Sequence, residues 1–185
     1  MIQYRASIAV VSVFAEIVSE VERLYKLKTG VGTDTVMFMH GHPNEVNQQL
    51  IDLSTVTTGV KRYPFICLLQ DFTETGGSDY VECKDLHVLI ANITDPTYVA
   101  SQRYTYNFLP VLYPLYDLLL YAIATNTKVK ESEAGRIQHE KTDRLMWGKS
   151  GVYGSNGQIF SDRIDAIEIT RLQIGLKKSH CLTQI

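Results

Sequence analysis

The chain has only three cysteines, an odd number with no CxxC spacing. That excludes a disulfide scaffold and the familiar paired-thiol metal and redox motifs. Cys67 and Cys83 fall in apolar, strand-like runs and Cys181 in a polar tail. A thiol in such a run behaves as a small hydrophobe, and the three are read as reduced cysteines in an intracellular setting. Excess charge is also missing: 18 basic against 20 acidic residues give a formal net charge of −2. No broad cationic field for nucleic acid or a membrane surface follows from that balance. The apolar patch within MIQYRASIAVVSVFAEIVSEVERLYK is too short and too interrupted by charge to span a bilayer. Arg5 ahead of an apolar run is also how a signal peptide begins, but the periodicity runs on to Tyr25, so the segment is read as a helix of the mature fold. Tryptophan occurs once, whereas tyrosine occurs 11 times, a weak pointer to assembly surfaces.

What is present is ordinary globular material, 45% hydrophobic and 21% charged over 185 residues. A domain of that size buries ~70% of the surface its unfolded chain exposes, so one domain with a real core is expected across 1–185, with a polar, mobile tail from about residue 177. Tyr4, Ile8, Val11, Phe14, Val18, Val21 and Tyr25 recur at the spacing of one helical face, with Lys26 and Lys28 in the last turn and Gly30 as the stop. Val36 to Met39 reads as a short strand and His40 to Pro43 as a turn. Asn44 is placed as the cap of a short helix carrying Val46, Leu50 and Leu53.

The stretch from Lys61 to Thr125 dominates the pattern. Tyr63 to Phe72 is apolar almost throughout, as for a strand covered on both faces. Thr73 to Asp79 is expected to turn through Gly76-Gly77 into a long strand, Tyr80 to Ile93, antiparallel to the first. Leu86, Val88 and Ile90 point one way along it, and His87, Leu89, Ala91 and Ile93 the other. A second long helix follows over Ser101 to Thr125, with Phe108, Leu112, Leu115, Leu119 and Ala122 in one stripe. Pro110 and Pro114 require either a later start or a kink. Thr127 to Thr142 reads as a polar loop or short exposed helix, Arg144 to Trp147 as a strand, GKSGVYGSNGQIF as a loop or hairpin, and Asp165 to Leu176 as the last strand. The fold class is α+β: an antiparallel or mixed sheet packed against two long helices, with an extended hairpin or loop arm.

Candidate chemistry is thin. His40 and His42 would share a face if they lay on a strand, and with His87 or a carboxylate they would make a metal set, but Gly41 and Pro43 mark a turn. Cys67 stands mid-strand among Phe65, Ile66 and Leu68, the setting of a structural thiol and not of a nucleophile. Gly148-Lys149-Ser150 ends like a phosphate loop, yet the preceding glycine of that pattern and the following helix are both missing. Asp71, Glu74 and Asp79 flank a turn and read as a solvated hairpin end. Lys61, Arg62 and Lys84 are too sparse for a nucleic-acid patch. No catalytic, metal or cofactor residue is assigned.

The order of elements, with HGHPNEVNQQL, KRYPFICLLQDF, SQRYTYNFLPVLYPLYDLLL and FSDRIDAIEITRLQIGL, resembles the tail-terminator and tail-completion proteins of tailed bacteriophages, the small head-to-tail connector subunits. The resemblance spans roughly residues 3 to 177, and its motifs are structural. It implies a structural virion protein that forms a homo-oligomeric ring, six- or twelve-fold, in the neck or tail. Such a subunit joins portal or adaptor to tail, with DNA only passing through the lumen, and acts without cofactor, catalysis or membrane. Trp147, Val152, Tyr153 and Phe160, large apolar side chains in a glycine-rich segment, are the subunit-interface candidates. The alternative reading is a small intracellular α+β enzyme or metal- or ligand-binding domain centred on His40, His42 and His87.

Overall fold

The computed structural model describes residues 6–30, 36–55, 63–77, 80–130, 137–147 and 163–177. The first helix, α1, runs Ala6–Thr29. Of the predicted stripe it buries Phe14, Val18, Val21 and Tyr25 and half-buries Val11, and it buries Val10, Val13 and Ile17 beside them; Tyr4 and the Ile8 side chain lie outside the described residues. Gly30, at φ 67°, ends it by donating its N–H to the Lys26 carbonyl at 3.0 Å, a left-handed stop that a glycine adopts without strain.

Strand β1 is Met37–Gly41 and helix α2 is Pro43–Thr55. The cap of α2 is His42, not Asn44. Its Nδ1 accepts from the Asn44 N–H at 3.3 Å, while Glu45 Oε2 accepts from the His42 N–H at 3.0 Å. This is the reciprocal logic of a capping box, with an imidazole where a hydroxyl usually stands and Pro43 at the first helical position. Val46 and Leu50 are buried; the Leu53 side chain lies outside the described residues. Strands β2 (Phe65–Leu69), β3 (Thr73–Gly76) and β4 (Tyr80–Ile93) follow. The expected turn at 73–79 therefore holds a short strand, which pairs Thr73–Gly76 against Lys84–Val81.

The second long helix is one run in three parts: α3 (Ala100–Arg103), a π-helical segment (Tyr104–Leu112) and α4 (Tyr113–Thr125). The π segment contains Pro110. A wider turn accommodates a residue that cannot donate, so the run neither starts late nor breaks. The polar region after it holds β5 (Val129–Lys130), and β6 starts at Glu140 and reaches Trp147, so Thr127 to Thr142 is partly strand. Strand β7 is Ile164–Lys177; the polar tail beyond it lies outside the described residues.

Among the described residues, seven strands make one mixed sheet in the order β1-β2-β4-β7-β5, with β3 extending the β2 edge of β4 and β6 lying along β7. Strands β1 and β2 are parallel and the rest antiparallel. The α+β expectation is met, and a third helix joins the two long ones. Helix α1, the π segment and α4 cover one face, over Ile66, Leu68, Val88, Ile90, Ile167 and Ile169. Helix α2 covers the β1–β2 end of the other face, over Met39, Phe65, Cys67, Leu89 and Ala91. Strand β2 is thus buried on both faces, which explains its uninterrupted apolar sequence. Beyond α2 the second face turns polar, with His87, Glu168, Arg144 and Glu140.

Two bulges reset the alternation. On β4 the helix-facing residues step from Cys83 to Leu86; on β7 they step from Ile169 to Leu172. Asp85, at φ 59°, and Arg171, at φ 53°, are the left-handed residues of these two steps. One extra residue on each strand restores the register, because Cys83 pairs with Ile174 and Val88 with Ile169.

Candidate subunit-contact site

Strand β6 and the root of the 148–162 segment form the candidate site. Trp147 pairs with Ile164, so the chain leaves the sheet and re-enters it at one place. Below this root lies a buried polar knot. Arg103 and Asp165, 4% and 0% exposed at the side chain, meet at 2.9 Å, and Arg103 Nε donates to the Tyr98 carbonyl at 2.9 Å. Asn107 donates to the second Asp165 oxygen at 3.0 Å and accepts from Asn92 at 2.8 Å, while the Met146 N–H donates to Asp165 at 3.1 Å. Met146, at φ 54°, is the left-handed residue of a break in the β6–β7 pairing between Arg144 and Trp147. A carboxylate that accepts three donors offsets its own desolvation and holds the π segment, β6 and β7 in one arrangement. Sequence reading missed this knot. The available signal was an aspartate inside Ile164-Asp165-Ala166-Ile167, and Arg103 and Asn107 four apart at the head of an apolar helix.

Strand β6 is braced on both faces. Toward the helices, the Tyr113 hydroxyl donates to Asp143 at 2.7 Å, the Tyr116 hydroxyl and His139 Nε2 are 2.6 Å apart, and the Lys141 ammonium lies 4.6 Å from the Tyr113 ring centre. Desolvation first, then the Asp143 carboxylate, pushes the Tyr113 phenol up to about 12, which keeps it a donor. On the other face, Arg144 donates to Glu168 at 2.7 Å and Arg171 to Glu140 at 2.7 Å. The helix exposes Tyr104, Tyr106 and Leu109, and β6 exposes Leu145. Tyr104 meets Tyr113 edge-on with ring centres 6.0 Å apart, and Tyr113 in turn reaches Asp143 on β6.

Trp147 is the last residue of β6 and packs, partly buried, on the α2-side core with Ile164. Met146 and Trp147 thus belong to the sheet; Val152, Tyr153 and Phe160 lie outside the described residues. The histidines are not brought together. Register places His40 beside Leu68 on the helix-covered face and His87 beside Leu69 on the opposite face, while the His42 ring caps α2. Glu168 Oε1 approaches His87 Nε2 at 2.9 Å without hydrogen-bond alignment. Among the described residues no group of three or more His, Cys, Asp or Glu is placed to hold a metal. Cys67 and Cys83 lie on opposite faces, and burial pushes each thiol up to about 12. Asp71 is exposed; Glu74 is partly buried, and burial raises its carboxyl; Asp79 lies outside the described residues.

The run Ala100–Thr125 is long and apolar enough, by length and composition, to cross a membrane. It also lays Phe108, Leu112, Leu115, Leu119 and Ile123 against the sheet and α1, and it carries the buried Arg103. No protein-family model matches the chain, and no curated protein matches it.

Proposed function

We propose that this chain is a structural subunit that works by assembling with copies of itself, a ring-forming component of a phage head-to-tail connector or tail terminator. The observation that supports it most is the arm root. A segment bearing Val152, Tyr153 and Phe160 among glycines starts and ends on paired residues, Trp147 and Ile164, anchored by the buried Asp165 knot. Large apolar side chains in such a segment gain most by docking on a neighbour, as interface aromatics do. Exposed apolar side chains, Tyr104 and Leu109 on the helix and Leu145 on β6, offer matching chemistry on a neighbouring copy. In this reading the sheet and its helices are a rigid body, and the arm reaches the next subunit or the adjoining portal, adaptor or tail ring. A ligand site centred on His40, His42 and His87 lacks support, because register sends His40 and His87 to opposite faces.

The test is deletion of Gly151 to Gly157. The shortened chain should keep its far-ultraviolet circular dichroism and its cooperative melt, yet lose ring formation and incorporation into tailed particles. Normal rings from the deletion variant would place the contact elsewhere.

A further inference from the structure

Strand β6 pairs with β7 on one side, and among the described residues nothing pairs with its other edge. Its sequence, Glu140-Lys141-Thr142-Asp143-Arg144, is a charge palindrome about Thr142. We infer that this edge pairs antiparallel with the same edge of a second copy, on a two-fold axis through Thr142. Glu140 then lies opposite the copy's Arg144, and Lys141 opposite the copy's Asp143.

Geometry restricts the alternatives. An antiparallel pair related by a two-fold axis normal to the sheet must place some residue directly opposite its own copy, because opposed residues point to the same face. Within the charged run, centring on Glu140, Lys141, Asp143 or Arg144 sets a charge against itself, which is destabilising. Only Thr142 is neutral, and centring there matches all four flanking pairs. Charged edge strands ordinarily keep sheets apart. Here the same charges exclude every symmetric register in the run but one.

The charges are already oriented. Glu140 and Arg144 stand on the polar face with Arg171 and Glu168, and Lys141 and Asp143 stand on the helix face, held by Tyr113. All four are exposed on β6, so none must leave a buried site to meet the copy. The contact does not rest on the ring reading: it is isologous and closes at two copies, whereas a ring needs a head-to-tail contact.

The test reads the register directly. In a Cys181→Ser background, Thr142→Cys should form a disulfide-linked dimer on mild oxidation, because directly opposed residues lie about 4.5–5.5 Å apart at Cα, within disulfide reach. Glu140→Cys should not, since its own copy would sit four residues away along the strand. Lys141→Glu/Arg144→Glu and Glu140→Lys/Asp143→Lys, each carrying the Thr142→Cys reporter, should each lose cross-linking by about tenfold or more when alone and folded. Mixed, the two should cross-link to each other. Wild-type-edge protein that gives no Thr142→Cys dimer, or a folded single-sign variant that still cross-links with itself, overturns the inference. The Thr142→Cys result stands even if a charge variant fails to fold.

Discussion

Asp165 has no exposed surface, yet it accepts from Arg103, Asn107 and the Met146 backbone, so its carboxylate is where the helix and two strands are tied. Removing one member of such a pair strands the other: Asp165→Ala should cost about 3–5 kcal/mol in urea unfolding, and Arg103→Met with Asp165→Leu together should cost less than the sum of the single changes. Additive losses in that cycle would mean that the two side chains are not coupled. The thiols give a second prediction. Burial raises Cys67 and Cys83 from an ordinary 9.0 to about 12. The unfolded chain loses these protons first, so the stability they contribute is complete below about pH 9 and falls as pH rises toward 12, with Tyr113 acting in the same direction. The melting temperature should drop across that window, and less so in Cys67→Ala/Cys83→Ala. At neutral pH neither thiol should alkylate until the chain is unfolded; rapid labelling of the folded protein would show that they are not buried. The burial of Cys67 was legible from its apolar neighbours, and that of Cys83, set between Glu82 and Lys84, only from its place two residues beyond Val81 on a strand. The Asp165 knot was not, because a charged residue in an apolar run shows no partner until the fold brings one from 62 positions away.

Elements with a clean period were legible, and those with a reset were not. Phe14, Val18, Val21 and Tyr25 of the α1 stripe, the antiparallel pairing of β2 with β4, and the helix stripe Phe108, Leu112, Leu115, Leu119 and Ala122 follow from spacing. The bulges at Asp85 and Arg171 are harder to read, because each shows only as a change of phase across two polar residues, from Cys83 to Leu86 on β4 and from Ile169 to Leu172 on β7, which a strict alternation read along the strand passes over. Arg171→Gly should therefore be tolerated better than Arg171→Val, by about 1 kcal/mol or more, although valine suits strands, because a β-branched residue is strained at positive φ. The reverse ranking in thermal or urea melts would contradict the bulge. Leu89 and Leu115 are fully buried on opposite faces of the sheet, and an aspartate at either should prevent folding. Soluble, cooperatively melting Leu115→Asp protein would show that the buried face of α4 is wrongly assigned. Lys130 is more engaged than a polar loop residue: it lies on β5 with its ammonium 3.9 Å from the Tyr80 ring centre. Lys130→Ala should cost about 0.5–1 kcal/mol.

At the scale of the whole molecule, two long helices close one face of the sheet and α2 part of the other, and among the described residues the outer edge of β6 is left unpaired. The proposed arm rests on a sequence feature, glycines among large apolar residues. Its root was not legible there, because Trp147 reads as part of the arm until β6 is seen to run through it. The two proposed contacts differ in symmetry, so they separate cleanly. Edge pairing through Thr142 stops at two copies, and arm docking propagates from subunit to subunit until a ring closes. The most direct measurement is the mass of the purified full-length chain in solution by light scattering across a concentration series, paired with negative-stain electron microscopy of the same sample. The account predicts a discrete, closed ring that the Gly151–Gly157 deletion abolishes. A species that remains a monomer, or that stops at a dimer, at every concentration would contradict it.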